Sequence, residues 1–193
     1  MSAQAVQTHA ERTAAGAAAT RSFVIIRLRG TQNLNPKVRS TLASLRLHRV
    51  NHAIVLPDNE TTRGMLQVAK DYVTWGEVDA ATLALLIKSR GRLVGDKPVT
   101  DAALAQTAHK NVDGLANAIA HGKVNYRDVP DVKPVFRLHP ARQGLEGIKR
   151  SVQNGGALGY RGKAINELLG RMTSQPSDAY APATAAAAKK GGA

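Results

Sequence analysis

Between residues 22 and 78 the apolar residues switch repeatedly between a spacing of two and a spacing of three to four, and few folds accommodate that order. The run Phe23-Val24-Ile25-Ile26-Arg27-Leu28-Arg29 alternates with period two. That spacing predicts a strand with Val24, Ile26 and Leu28 on a core face and Arg27 and Arg29 on a basic face. Gly30 ends it. Asn35-Pro36 reads as a helix cap followed by proline at the first helical position. Val38, Leu42 and Leu45 then recur at helical spacing, with Lys37, Arg39 and Arg46 projecting elsewhere. A second strand is expected over residues 50–56, closed by Pro57-Asp58-Asn59. A second helix is expected over 62–72 with Met65, Ala69 and Tyr72 inward, and a third strand over 73–78. The order is β-α-β-α-β, which predicts an α+β sandwich with helices covering one face of a sheet.

Beyond Val78 the pattern turns mostly helical. Asp79 is placed to cap a helix over 80–90 whose inner residues are Leu83, Leu86 and Ile87, and Arg90-Gly91-Arg92 breaks it. Thr100 is placed to cap a short helix over 101–109, and Asp113 another over 114–121. Pro130, Pro134 and Pro140 make 122–140 extended or looped, with a strand over 135–138. A glycine-rich stretch, 155–162, leads into a last helix over 164–172. The chain divides into a tail at 1–20, a core at 21–79, an extension packed on it at 80–172, and an Ala-rich tail at 173–193. The tails hold too little apolar surface to offset the entropy of ordering, so flexibility is expected there unless RNA orders them.

Charge placement says more than its total, which is +13. Arg21, Arg27, Arg29, Lys37, Arg39, Arg46 and Arg49 come with no acid among them. Lys133, Arg137, Arg142, Lys149, Arg150, Arg161 and Lys163 come with Glu146 alone. The middle of the chain is close to balanced. Two basic segments flanking a mixed centre point to a polyanion, and nucleic acid is the leading one because neutralised phosphates release counterions. Arginine predominates, and its planar fork of donors suits phosphates. Aromatic residues make up only 4% of the chain, so the expected recognition is of RNA backbone shape with little base reading.

Chemistry-bearing motifs are tested and set aside. His48 and His52 stand four apart, but in a strand that spacing separates them by roughly 13 Å, with no acidic or Cys ligand nearby in sequence. Gly155-Gly156-Ala157-Leu158-Gly159-Tyr160-Arg161-Gly162-Lys163-Ala164 is similar to a phosphate-binding loop, yet Ala157 stands where glycine is required and Ala164 where Ser or Thr would hold magnesium. A glycine loop whose amides, with Arg161 and Lys163, approach RNA phosphates is the stronger expectation. There are no cysteines, which removes disulfides and thiolate sites and agrees with a reducing cytoplasm. The N-terminus does not read as a secretory signal, and no apolar run approaches a membrane span. No catalytic residue, metal, cofactor or small-molecule substrate is expected, and no enzyme.

Several segments, in order, carry a family resemblance. They are residues 23–30, 35–42 with Leu45-Arg46-Leu47, Tyr72-Val73-Thr74-Trp75-Gly76, Lys88-Ser89-Arg90-Gly91, Phe136-Arg137-Leu138-His139-Pro140, residues 155–161 and residues 165–172. Together these resemble the archaeal form of the L-thirty family of large-subunit ribosomal proteins, kin to eukaryotic L-seven, over roughly 22–172. The resemblance implies a ferredoxin-like β-α-β-α-β core with an extension found outside bacteria. It implies a cytoplasmic ribosome, large-subunit rRNA near 5S rRNA, and neighbouring ribosomal proteins as partners. It implies RNA contacts at Arg27, Arg29, Lys37, Arg39, Arg46 and Arg49. The second basic segment adds Arg137, Arg142, Lys149, Arg150, Arg161 and Lys163 as candidates, although around Glu146 the chain lacks the denser basic run usual in the family. Two other readings compete: a small-molecule-binding regulatory domain, since such cores also serve that role, and a chromatin-type DNA binder, although no helix-turn-helix, zinc or zipper pattern is visible.

Overall fold

The computed structural model describes residues 21–104 and 111–173. The expected tails, apart from Thr173, and the end of the helix expected over 101–109 lie outside the described residues. Strands β1 (Ser22–Arg27), β2 (His52–Pro57), β3 (Val73–Glu77), β4 (Val135–Arg137) and β5 (Gly159–Tyr160) form one sheet in the order β4-β2-β1-β3-β5. Central β1 is antiparallel to both neighbours, β4 is antiparallel to β2, and β5 is parallel to β3. The helices are α1 (Pro36–Ser44), α2 (Glu60–Ala69), α3 (Ala80–Arg90), α4 (Asp101–Leu104), α5 (Val112–Ala120) and α6 (Ile165–Thr173). The α+β class and the β-α-β-α-β order with a mostly helical extension are as expected.

The expectation of one covered sheet face is corrected. Phe23, Ile25, Ile54 and Val73 pack with Leu42, Leu45, Leu47, Leu66 and Ala69 beneath α1 and α2. Val24, Ile26, Ala53 and Val55 pack on the opposite face with Leu83, Leu86 and Ile87 of α3, Leu115 and Ile119 of α5, and Leu168, Leu169 and Met172 of α6. All six residues of β1 are buried. The run 23–26 is apolar at every position, and a strand covered on both faces needs that. Arg27, assigned to a solvent-facing basic side, is 2% exposed.

Local signals explain most of the element ends. Asn35 caps α1 through its side chain, accepting from the Lys37 amide at 3.0 Å, with Pro36 in the first turn. Helix α2 starts at Glu60 and ends at Ala69, so Tyr72 lies beyond it; its buried side is Thr62, Leu66 and Ala69 with Met65 half-buried. Asp79 precedes α3 without a side-chain cap; its own amide donates to Asn166 Oδ1 at 3.0 Å. Asp113 lies inside the first turn of α5. The acid serving that helix end is Asp101, whose Oδ1 accepts from the Val112 amide at 2.9 Å. The last helix ends at Thr173, which is buried.

Among the described residues no helix is long and apolar enough to cross a membrane.

Candidate nucleic-acid interface

The antiparallel pairing puts the C-terminal end of β1, the start of β2 and the end of β4 at the same edge of the sheet. Both connections that flank α1, 28–35 and 45–51, therefore also gather there. Arg27 organises this end from inside. Its Nη1 donates to the carbonyls of Leu47 at 2.6 Å and His48 at 3.1 Å, and its Nε to that of Arg29 at 2.9 Å. Burial lowers its affinity for its proton, partly offset by Tyr72, and it stays charged at neutral pH. The guanidinium thus staples the loop after α1 to the sheet.

Around that staple stand the other members of the first basic segment. Arg29 is half-buried, lies 4.9 Å over the Tyr72 ring and donates to the Asp71 carbonyl at 3.0 Å. Lys37, Arg39, Arg46 and Arg49 are exposed. Helix α1 turns only Val38 and Leu42 toward the sheet, which leaves its first-turn cations outward. Arg46 has φ of 55° and closes α1. It lines a groove of about 500 Å³ with Ile54, Leu56, Arg127 and Asp128.

The second basic segment divides. Arg137 is exposed and pairs directly with His52 in the sheet, so it joins the first segment across a long stretch of chain. Burial first, then the charges of Arg137, Arg49, His48 and Arg27, hold the His52 imidazole below its ordinary value of 6.5. Residues from three separate segments of the chain thus converge on one histidine. Arg142 is exposed, and its carbonyl accepts from Arg171. Lys149 lines a separate groove with Lys70, Trp75 and Tyr160, and Arg150 is exposed nearby. Lys163 is exposed in the 3-10 turn after β5, at the far end of that strand.

The glycine-loop expectation is corrected for the amides of 155–158. The amides of 155–158 are already committed, to the carbonyls of Val152, Ser151, Gly147 and Arg150. Gly156, Ala157 and Leu158 are buried, and the following residues form β5 instead of an open cradle. Arg161 is half-buried, with Nη2 reaching the Ala157 carbonyl at 3.4 Å and burial lowering its pKa. The close packing explains the glycine: a Cβ on Gly156 would sit 2.2 Å from the Arg150 carbonyl oxygen.

Arg90 and Arg92, absent from the sequence-derived candidates, line a cavity together with Arg137. They fall in the charge-balanced middle of the chain, and only the pairing of 92–93 with 98 and 132 carries them to this edge. The Arg-Gly-Arg triplet was their one local signal. Among the described residues no three metal-type side chains converge, and His48 and His52 lie on the loop and the strand respectively.

Residues 23–73 match the protein family described as ribosomal protein L30p/L7e. Among curated relatives, the large ribosomal subunit protein uL30 of Archaeoglobus fulgidus is 47% identical over 151 residues, covering 78% of this chain and 99% of that protein. The proteins of the same description from Methanobrevibacter smithii and Methanoculleus marisnigri are 49% and 45% identical over the same span.

Proposed function

This chain belongs to the ribosomal protein L30p/L7e family, and on that premise we propose that it is a non-enzymatic structural constituent of the large ribosomal subunit, in the ribosome of the cytoplasm, which binds folded large-subunit rRNA near 5S rRNA. The observation that carries the RNA reading is the meeting of Arg49 and Arg137, far apart in sequence, beside His52 at one end of the sheet. Lys37 and Arg39 on α1 and Arg29 over Tyr72 extend the same cationic surface. Arg142, Lys149, Arg150, Arg161 and Lys163 contribute a second set of contacts beyond the glycine loop. Arg27 supports binding indirectly, by holding the loop that carries His48 and Arg49.

The test is reconstitution of large subunits with Lys37→Glu, Arg39→Glu and Arg49→Glu combined. All three side chains are exposed, so the fold is expected to survive. Loss of co-sedimentation with the subunit is the expected result, and normal incorporation would contradict the reading. Binding to isolated large-subunit rRNA should also lose about two to three units of log–log salt slope, since each phosphate contact contributes roughly 0.7–0.9. A preference for duplex DNA over folded rRNA in competition would favour the chromatin-type alternative.

A further inference from the structure

Resting on that RNA-binding reading, we propose that Arg90, Arg92 and Arg137 form a pocket for one backbone phosphate of the RNA, with Asp96 as its built-in competitor. The three guanidiniums come from the end of α3, the residue after Gly91, and the end of β4, and they line one cavity of about 390 Å³. Among the described residues the one acid in that lining is Asp96. Its Oδ1 is taken by Lys133 at 2.5 Å, and its Oδ2 lies 4.0 Å from Arg137 Nη1. The cavity therefore holds more positive charge than it neutralises.

Arg90 shows this imbalance most directly. Its Nε and Nη2 are buried and have no hydrogen-bond partner among the described residues. Desolvation disfavours its charge, and the neighbouring Arg92 adds to the effect. A buried guanidinium N–H needs an acceptor, and a phosphate offers oxygens in the fork geometry arginine prefers. The backbone that presents the cluster is tied to the 131–133 segment by two hydrogen bonds. The Lys133 amide donates to the Arg92 carbonyl at 2.8 Å, and the Val94 amide to the Asp131 carbonyl at 2.8 Å. A Cβ on Gly91 would meet the Ile87 carbonyl oxygen at 2.4 Å, so the Arg-Gly-Arg spacing is imposed by packing. Arg137 also pairs with His52, which makes the pocket continuous with the sheet-end surface. An RNA strand lying across Arg49 and Arg137 is thereby led toward Arg90.

The experiment is filter binding of the full chain to deproteinised large-subunit rRNA over a KCl series. The variants are Arg90→Gln with Arg92→Gln, Arg92→Gln alone, Asp96→Asn, and Arg49→Gln as a reference outside the pocket. The double variant should bind about tenfold more weakly and lose about one unit of salt slope, the signature of one lost phosphate contact. Asp96→Asn should bind about threefold more tightly, because an exposed competing carboxylate is gone. If Arg90→Gln unfolds the protein, Arg92→Gln and Asp96→Asn carry the test. Unchanged affinity and slope in the pocket variants, with Arg49→Gln weakened, overturns the pocket and leaves the RNA reading intact. A wild-type chain with no preference for rRNA removes both. A rise in melting temperature with sodium sulfate that the double variant lacks, with no change in RNA binding, assigns the pocket to a free anion and overturns the proposal.

Discussion

Arg46 takes a backbone conformation that glycine ordinarily fills. After α1 the Leu47 amide donates to the Leu42 carbonyl and the Arg46 amide to that of Ala43, the paired bonds that close a helix through a left-handed residue. Helix α5 ends with the same two bonds, there through Gly122 at φ of 66°. An L-residue in this region is disfavoured by about 1 kcal/mol or more, so Arg46→Gly should stabilise the free protein by about that amount in denaturant unfolding. The same change should weaken rRNA binding and remove about one unit of salt slope. Stability and binding moving in opposite directions would identify an arginine retained for its charge. His52 makes a second prediction. Its folded pKa is depressed, so the unfolded chain binds more protons at acidic pH. The stability contributed by neutral His52 is present above about 6.5 and is lost as pH falls from there toward the folded pKa. His52→Gln should flatten the melting-temperature profile across that window. Phosphates arriving beside Arg49 and Arg137 would raise the imidazole pKa, so wild-type binding should strengthen as pH falls from 8 to 6, and the variant's should not.

At the level of elements, the edge of the sheet at β5 depends on a backbone approach that admits no side chain. A Cβ on Gly76 of β3 would lie 2.1 Å from the Gly162 carbonyl oxygen. Gly76→Ala should therefore cost about 1–3 kcal/mol through overpacking, measured by urea unfolding, and should lower hydrogen-exchange protection at Arg161, whose amide donates to Trp75. Strand β5 itself was not legible in the sequence. It is two residues long, has no periodicity, and exists through pairing with a strand more than eighty residues earlier. The glycines around it read instead as a ligand loop, because a close backbone contact and an anion cradle leave the same mark in sequence. By contrast α1 was legible because cap, proline and apolar period agree there, and β1 and α3 were legible from their apolar residues alone. The burial of Arg27 was not, because period two assigns a face but does not say whether that face meets solvent. The apolar residues at 23 and 25 were the available sign that it does not.

Considered as a whole, the molecule is a central sheet sealed from both sides. Residues 21–79 supply α1 and α2 over one face and nothing over the other. A fragment of those residues would expose Val24, Ile26, Ala53 and Val55, in a length of chain that is marginal for an independent core. It should show no cooperative thermal transition and should bind a hydrophobic dye, whereas 21–173 should unfold in one step. The basic surface follows from the same architecture. Residues near Arg49, Arg92 and Arg137 become neighbours only after β4 returns to pair with β2 and the turn at 92–98 docks on 131–133. Charge runs in the sequence locate the ends of this surface, while its middle is a product of folding.

The sheet is finished by its latest-made pieces. Helix α6 brings Leu168, Leu169 and Met172 under β1, and β5 covers the open side of β3, yet both are encoded close to the end of the described residues. Polypeptide emerges from its N-terminus at about 5–20 residues per second. For several seconds of each synthesis, then, a newborn chain with an acid-free basic run over 21–49 carries a half-covered apolar sheet and a bare strand margin. Polyanions in the surroundings meet it before it has closed, so whatever shields the nascent form must tolerate charge as well as grease.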